Sequence, residues 1–225
     1  MIPWEFLDSA QVPAQGGELR LYKRGGEFSL RINGGELMNS SVHGSEDALA
    51  DLACAKISAL LRPRILIGGL GMGYTLAAAL RNVGVGGRVV VAELVPEVVK
   101  WNRSHLADLA GRPIQDKRVT VREADVALVL KAEQRAYDAV LLDVDNGPDG
   151  LTQKGNGWLY SRAGLDASFA ALRPLGVLAV WSAGTDQAFT RRLRSAGFEV
   201  DVISVRARGA HGGGHHTIWI GVRGS

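Results

Sequence analysis

Apolar and polar positions change their period twice along the chain. In "GELRLYKRGGEFSLRINGGEL", residues 17–37, apolar side chains fall on alternate positions of two stretches, and Gly-Gly pairs separate the stretches. Period two sends successive side chains to opposite faces of a strand. Residues 1–44 therefore read as a small antiparallel β unit of short strands joined by glycine turns. Leu49, Leu52, Ala53, Ile57 and Leu60 then recur at helical spacing. They predict a helix with Ser45 as its N-cap, Glu46 and Asp47 in its first turn, and Pro63 as its stop.

Beyond Pro63 short apolar runs alternate with helical stretches. Strands are expected at 64–68, 88–93, 118–123, 137–143 and 176–181, and helices at about 72–82, 96–107, 125–132, 161–173 and 186–196. The runs are rich in Val, Ile and Leu throughout, as strands covered on both faces are. This order predicts a doubly wound, mostly parallel sheet over residues 45–225. "FEVDVISVRAR" and "HTIWIGV" follow with no helix between them, so they add an antiparallel pair at the sheet edge.

Candidate chemistry gathers where those strands end. Gly69, Gly71 and Gly73 give G-x-G-x-G after the first buried strand and at the start of a helix. Glycine lets backbone approach a ligand closely, and a helix N-terminus offers free N–H groups. Glu93 ends the second strand, where a carboxylate accepts hydrogen bonds from ribose hydroxyls. Asp125 follows the third strand, as a partner for an adenine amine, as a helix N-cap, or as both. Together these predict an adenosine pocket. The dinucleotide fingerprint is G-x-G-x-x-G, and here the third glycine comes one residue early. Asp143, Asp145 and Asp149 follow the fourth strand, and "NGPDGLTQKGNGW", residues 146–158, has no periodicity. Such acids suit a cationic acceptor, and so long a loop suits a lid.

Composition narrows the picture only a little. The chain has 225 residues, 46% hydrophobic and 22% charged, with a net charge of +3. These are ordinary globular values. No dense basic run calls for nucleic acid; "RRLR" and "RAR" read as a solvated helix face and a strand end. The single cysteine, Cys54, sits on the apolar face of the first helix, so no disulfide framework forms within the chain. "MIPWEFLDSAQVP" lacks the features of a signal peptide, and no apolar run approaches bilayer length. The expectation is a cytoplasmic protein without a membrane span. "HGGGHH", residues 211–216, reads as a surface hairpin loop, and no metal is expected there.

Five segments carry a resemblance: "ILIGGLGMGYTLAAAL", "VVVAELVPEVV", "RVTVREAD", "YDAVLLDVDNGP" and "LYSRAGLDASFAALRPLGVLAVW". From about residue 60 to 182 they look, in order, like the successive motifs of spermidine synthases. That family belongs to the class I S-adenosylmethionine-dependent methyltransferase superfamily. The resemblance implies a seven-stranded sheet of that type, preceded by a small β domain. It also implies S-adenosylmethionine or its decarboxylated form as donor, a small amine or polyamine-like acceptor, no metal, and a homodimer as one possible assembly. Gly69, Gly71, Gly73, Glu93 and Asp125 would hold the donor, and Asp143 and Asp145 would be catalytic.

Two positions depart from the family pattern. Its glycine turn reads G-G-G-D-G-G-T, with the Asp holding the amino end of the decarboxylated donor; Met72 stands there in this chain. After the fourth strand it reads D-[ST]-[ST]-D-P; here Asp143 takes the first acidic position and Asn146 the second. An amide is no general base. Asp145 lies one residue early and takes that role only if the loop backbone is rearranged. Aminopropyl and methyl transfer to an amine both stay open. A non-catalytic adenosyl-binding protein and a nicotinamide-dependent oxidoreductase are the alternatives of other classes.

Overall fold

A computed structural model describes residues 2–13, 17–144, 147–148 and 157–224. Four antiparallel strands open the chain: β1 (Glu5–Val12), β2 (Gly17–Arg24), β3 (Glu27–Ile32) and β4 (Gly35–Asn39), in the order β1-β2-β3-β4. The first was not legible from alternation, because "EFLDSAQV" mixes polar and apolar side chains on both faces and its pairing slips between Phe6 and Asp8. One face of this sheet is buried through Leu19, Leu21, Phe28, Leu30 and Ile32. These residues belong to the same hydrophobic cluster as Leu49, Ile65, Val91 and Ile218 from the rest of the chain.

Helix α1 (Gly44–Lys56) departs from expectation at both ends. Its N-cap is His43, not Ser45. The Gly44 N–H donates to Ala207 O at 2.9 Å, and the Ser45 hydroxyl is engaged with Glu46, so the helix starts two residues earlier without a side-chain cap. It also ends well before Pro63. Ile57 N donates to Cys54 O three residues back, which closes the last turn, and Leu60 is left exposed. Proline marks where a helix cannot continue but supplies nothing that holds the preceding turns together, so it could not carry the helix up to position 63.

The remaining elements follow the alternation. They are β5 (Arg64–Gly68), α2 (Tyr74–Asn82), β6 (Arg88–Glu93), α3 (Pro96–Arg103), β7 (Val119–Glu123), α4 (Val126–Ala132), β8 (Tyr137–Leu142), α5 (Gly157–Tyr160), α6 (Arg162–Ala171), β9 (Leu172–Ser182), α7 (Gln187–Ser195), β10 (Phe198–Arg206) and β11 (His215–Arg223). α3 stops at Arg103, and the chain to Ala107 continues as irregular turns. β9 begins four residues earlier than expected, because Leu172 pairs with Tyr137 before a register shift around Pro174 and the left-handed Leu175.

The seven strands run β10-β11-β9-β8-β5-β6-β7. β5 pairs in parallel with β6 and β8, β7 continues on one side and β9 on the other, while β11 and β10 are antiparallel. Central strands are covered on both faces: every residue of β8 is buried. The chain winds outward in opposite directions from β5, so the crevice beside its carboxyl end is a topological switch point, where open α/β sheets bind ligands.

Candidate adenosyl and amine site

The turn after β5 is built by its glycines. Gly69 has φ +89°, and a Cβ there would meet the Asp143 carbonyl oxygen. Gly71 has φ +51°, and a Cβ there would come within 2.9 Å of Met38 Sδ. Asn102 Nδ2 holds the Gly71 carbonyl at 2.8 Å. Gly73 is the N-cap of α2, with φ +86°.

The expected site residues gather around one cavity of about 360 Å³. Gly69, Gly71, Glu93, Asp125 and Asp143 line it, together with Val12, Leu30 and Met38 of the four-stranded sheet. That size suits a nucleoside-scale ligand. Gly73 is not among the lining residues; its neighbours are Asn102 and Pro113. Met72, at the departure from the family turn, is fully buried in the core and does not face the cavity either. Asp145, with Asn146 and Asp149, lies outside the described residues, as does most of the expected lid.

Each expected carboxylate has a defined setting. Glu93 accepts from Leu70 N and Val95 N, both at 2.8 Å, so it ties the glycine turn to the start of α3. Burial pushes its carboxyl above the ordinary value, while backbone N–H groups, Val95's first, pull it down. Asp125 caps α4 by accepting from Ala127 N at 2.8 Å, so the capping role and the cavity position coexist. Asp143 accepts from Thr75 Oγ1 at 2.6 Å, and burial raises its carboxyl.

Three residues of the cavity were not legible as site residues. Glu46, expected only to complement the α1 dipole, is 8% exposed and lines the cavity. Ser45 Oγ donates to Glu46 Oε2 at 2.6 Å, and His216 Nδ1 lies 2.9 Å from Ser45 Oγ. Trp181 packs edge-on against His216, with ring centroids 4.8 Å apart. His216, expected in a surface loop, is therefore the second residue of β11 and a wall of the site. No local signal marks these residues, because α1, β9 and β11 meet only in three dimensions. Among the described residues the cavity is lined by five carboxylates, those of Glu36, Glu46, Glu93, Asp125 and Asp143, and by no Lys or Arg. No group of His, Cys, Asp and Glu among the described residues is arranged to hold a metal.

The family model of the spermine/spermidine synthase domain matches residues 56–190. The chain belongs to the spermine/spermidine synthase family. Polyamine aminopropyltransferase 2 of Pseudomonas aeruginosa is 33% identical over 123 residues, which are 53% of this chain and 33% of that relative. The chain thus aligns with about a third of that relative's length. In fold it is similar to a spermidine synthase solved with the transition-state analogue AdoDATO (TM-score 0.75, 16% identity, 97% of this chain and 72% of that one). It is equally similar to spermidine synthase from Thermotoga maritima (TM-score 0.76, 16% identity, 97% and 73%). A probable spermidine synthase from Corynebacterium glutamicum also matches (TM-score 0.66, 16% identity, 97% and 79%). The spermine/spermidine synthase match begins at residue 56, so it includes the glycine turn, Glu93, Asp125, Asp143 and Trp181 but neither Glu46 nor His216.

Proposed function

We propose that this protein transfers an aminopropyl group from decarboxylated S-adenosylmethionine to a small amine. The observation that carries this reading is the charge of the cavity: five lining carboxylates and no Lys or Arg among the described residues. A wall of that sign favours a cationic donor and a cationic amine together. The glycine turn, Glu93 and Asp125 would hold the adenosine half, and Asp143 would face the reacting carbon.

A sulfonium donor brings its own leaving group, so the protein's work is positioning and proton removal. A free aliphatic ammonium has a pKa of about 10.4. Its nitrogen must first give a proton to a carboxylate. The nitrogen lone pair then forms the new C–N bond as the C–S bond breaks, and that electron pair leaves with sulfur as neutral methylthioadenosine. A carboxylate whose pKa is raised accepts the proton better than an ordinary one. Burial raises Asp143 in this sense.

The test is incubation with decarboxylated S-adenosylmethionine and putrescine, followed by chromatography. Release of methylthioadenosine is expected. Release of S-adenosylhomocysteine from ordinary S-adenosylmethionine would instead mean methyl transfer. Binding of the donor without turnover by any amine tried would mean a non-catalytic binding protein.

A further inference from the structure

Glu46 has a setting that neither helix electrostatics nor stability explains. A carboxylate placed to complement a helix dipole does so while staying in water. Glu46 is instead more than nine-tenths buried; its carboxylate accepts from Ser45 Oγ and is helped by its own backbone N–H. Taking a carboxylate out of water without a cation beside it is strongly unfavourable. Among the described residues no Lys or Arg pairs with Glu46 or with Asp143. The titratable groups that face it make matters worse. Asp143, at the end of β8, is the acid that acts on it most strongly, Asp47 of the same helix adds to this, and Tyr74 of α2 lies near Glu46 and Asp47. Glu36, Glu93 and Asp125 line the rest of the cavity. His216 reaches Glu46 through Ser45, and burial lowers the pKa of its imidazole. Burial and the Asp143 charge push the Glu46 carboxyl up to about 7.

We propose that Glu46 and Asp143 together hold a primary ammonium group in this cavity, with Glu46 serving as the carboxylate that the glycine turn lacks at Met72. The proposal rests on the adenosyl-transferase reading above and adds to it a residue outside the matched part of the chain. Met72 points into the core, so no side chain of the turn can neutralise an ammonium group there. Glu46 comes to the same cavity from α1. Ser45 and His216 fix its orientation, with Trp181 packed behind the histidine ring. The ammonium group belongs either to the donor's aminopropyl arm or to the acceptor amine.

The experiment is calorimetry on the wild type and Glu46→Gln. Glutamine can still accept from Ser45, so the helix is left in place. Three probes are used: methylthioadenosine, which has no ammonium; decarboxylated S-adenosylmethionine; and putrescine added to protein saturated with methylthioadenosine. Methylthioadenosine should bind both proteins alike. If the donor's arm is the occupant, Glu46→Gln weakens the decarboxylated donor tenfold or more. If the acceptor is, putrescine loses that factor and the donor does not. Near pH 7 the wild type should also release a proton on binding the ammonium, because the ion pair forces Glu46 to ionise; repeating the titration in buffers of different ionisation enthalpy reads this, and Glu46→Gln should abolish it. Unchanged affinities for both amines would overturn the ammonium site while leaving the adenosyl reading intact. A wild type that does not bind methylthioadenosine would overturn the adenosyl reading, and the ammonium site with it.

Discussion

Single carboxylates differ in what they do here, and the differences are testable one by one. Glu93 both faces the cavity and anchors the Leu70 and Val95 N–H groups. Glu93→Ala should therefore weaken methylthioadenosine binding by about 1.5–3 kcal/mol, the scale of hydrogen bonds to a charged group. It should also lower stability, since two buried donors lose their acceptor; denaturant titration beside calorimetry separates the two losses. Asp143→Asn keeps an acceptor for Thr75 but removes the proton acceptor. Turnover should fall roughly a hundredfold or more. Unaltered turnover would move the base elsewhere. Glu46 offers a pH test of its own. Its carboxyl is raised from 4.5 to about 7 in the folded state. Between those values the folded chain binds more protons than the unfolded one, so stability falls as pH rises through that window. The scale is up to about 3 kcal/mol by the usual conversion. Glu46→Gln should be relatively more stable than the wild type at pH 8 and should lose the advantage at pH 4.5. Equal pH profiles in thermal unfolding would show that Glu46 is not raised. At this scale the sequence revealed the carboxylates that end strands, because a strand end is a readable place. It did not reveal Glu46 or His216, since a first-turn acid and a Gly-flanked histidine look like solvent-facing residues until tertiary contacts bury them.

Elements were legible where period and chemistry agreed. β5, β6 and β8 follow their apolar runs closely, because strands covered on both faces need unbroken hydrophobic sequence; the edge strand β7 follows the alternation of "VTV" instead. Element ends were less legible. α1 begins and ends by backbone bonds to Ala207 and Cys54, which no local sequence pattern encodes. The glycine turn is the element on which site and fold depend together. Gly69→Ala would place a methyl group against the Asp143 carbonyl in a left-handed conformation. A cost of at least 1–3 kcal/mol is expected from the backbone strain alone, together with loss of methylthioadenosine binding. Gly84→Ala is the control, since nothing lies within 4 Å of its added Cβ. It should change stability by less than about 0.5 kcal/mol, as surface substitutions do. Equal effects of the two in urea titrations would deny the turn its structural role.

In the whole molecule, the cavity is a seam between two sheets. The β unit read as residues 1–44 gives Val12, Leu19, Leu30, Ile32 and Met38 to the cavity wall, while the larger sheet gives the glycine turn and the acids. Other contacts cross the same seam. Trp101 Nε1 donates to Asp8 Oδ2 at 2.7 Å, the Tyr74 hydroxyl donates to Ser40 O at 2.9 Å, and the His43 and Tyr74 rings stack with centroids 4.1 Å apart. The Trp101 bond holds the Asp8 carboxyl below its usual range. A four-stranded sheet alone buries only one face, whereas here its apolar residues share a cluster with α1 and the central strands. The alternating pattern announced the small sheet, but its partner surface could not be read from sequence, because that surface is assembled from separate elements, among them α2 through Tyr74 and α3 through Trp101. The consequence is cooperative. Leu21 is fully buried, and Leu21→Ala should cost about 2–5 kcal/mol, as core leucine truncations do. If the two sheets fold as one unit, that loss shifts a single unfolding transition, read alike by far-ultraviolet circular dichroism and by tryptophan fluorescence. Methylthioadenosine should then raise the midpoint of the same transition, because its binding wall exists only when both sheets are in place. Two separate transitions, with the ligand moving only the later one, would mean that the four-stranded sheet unfolds alone and that the larger sheet binds the nucleoside without it.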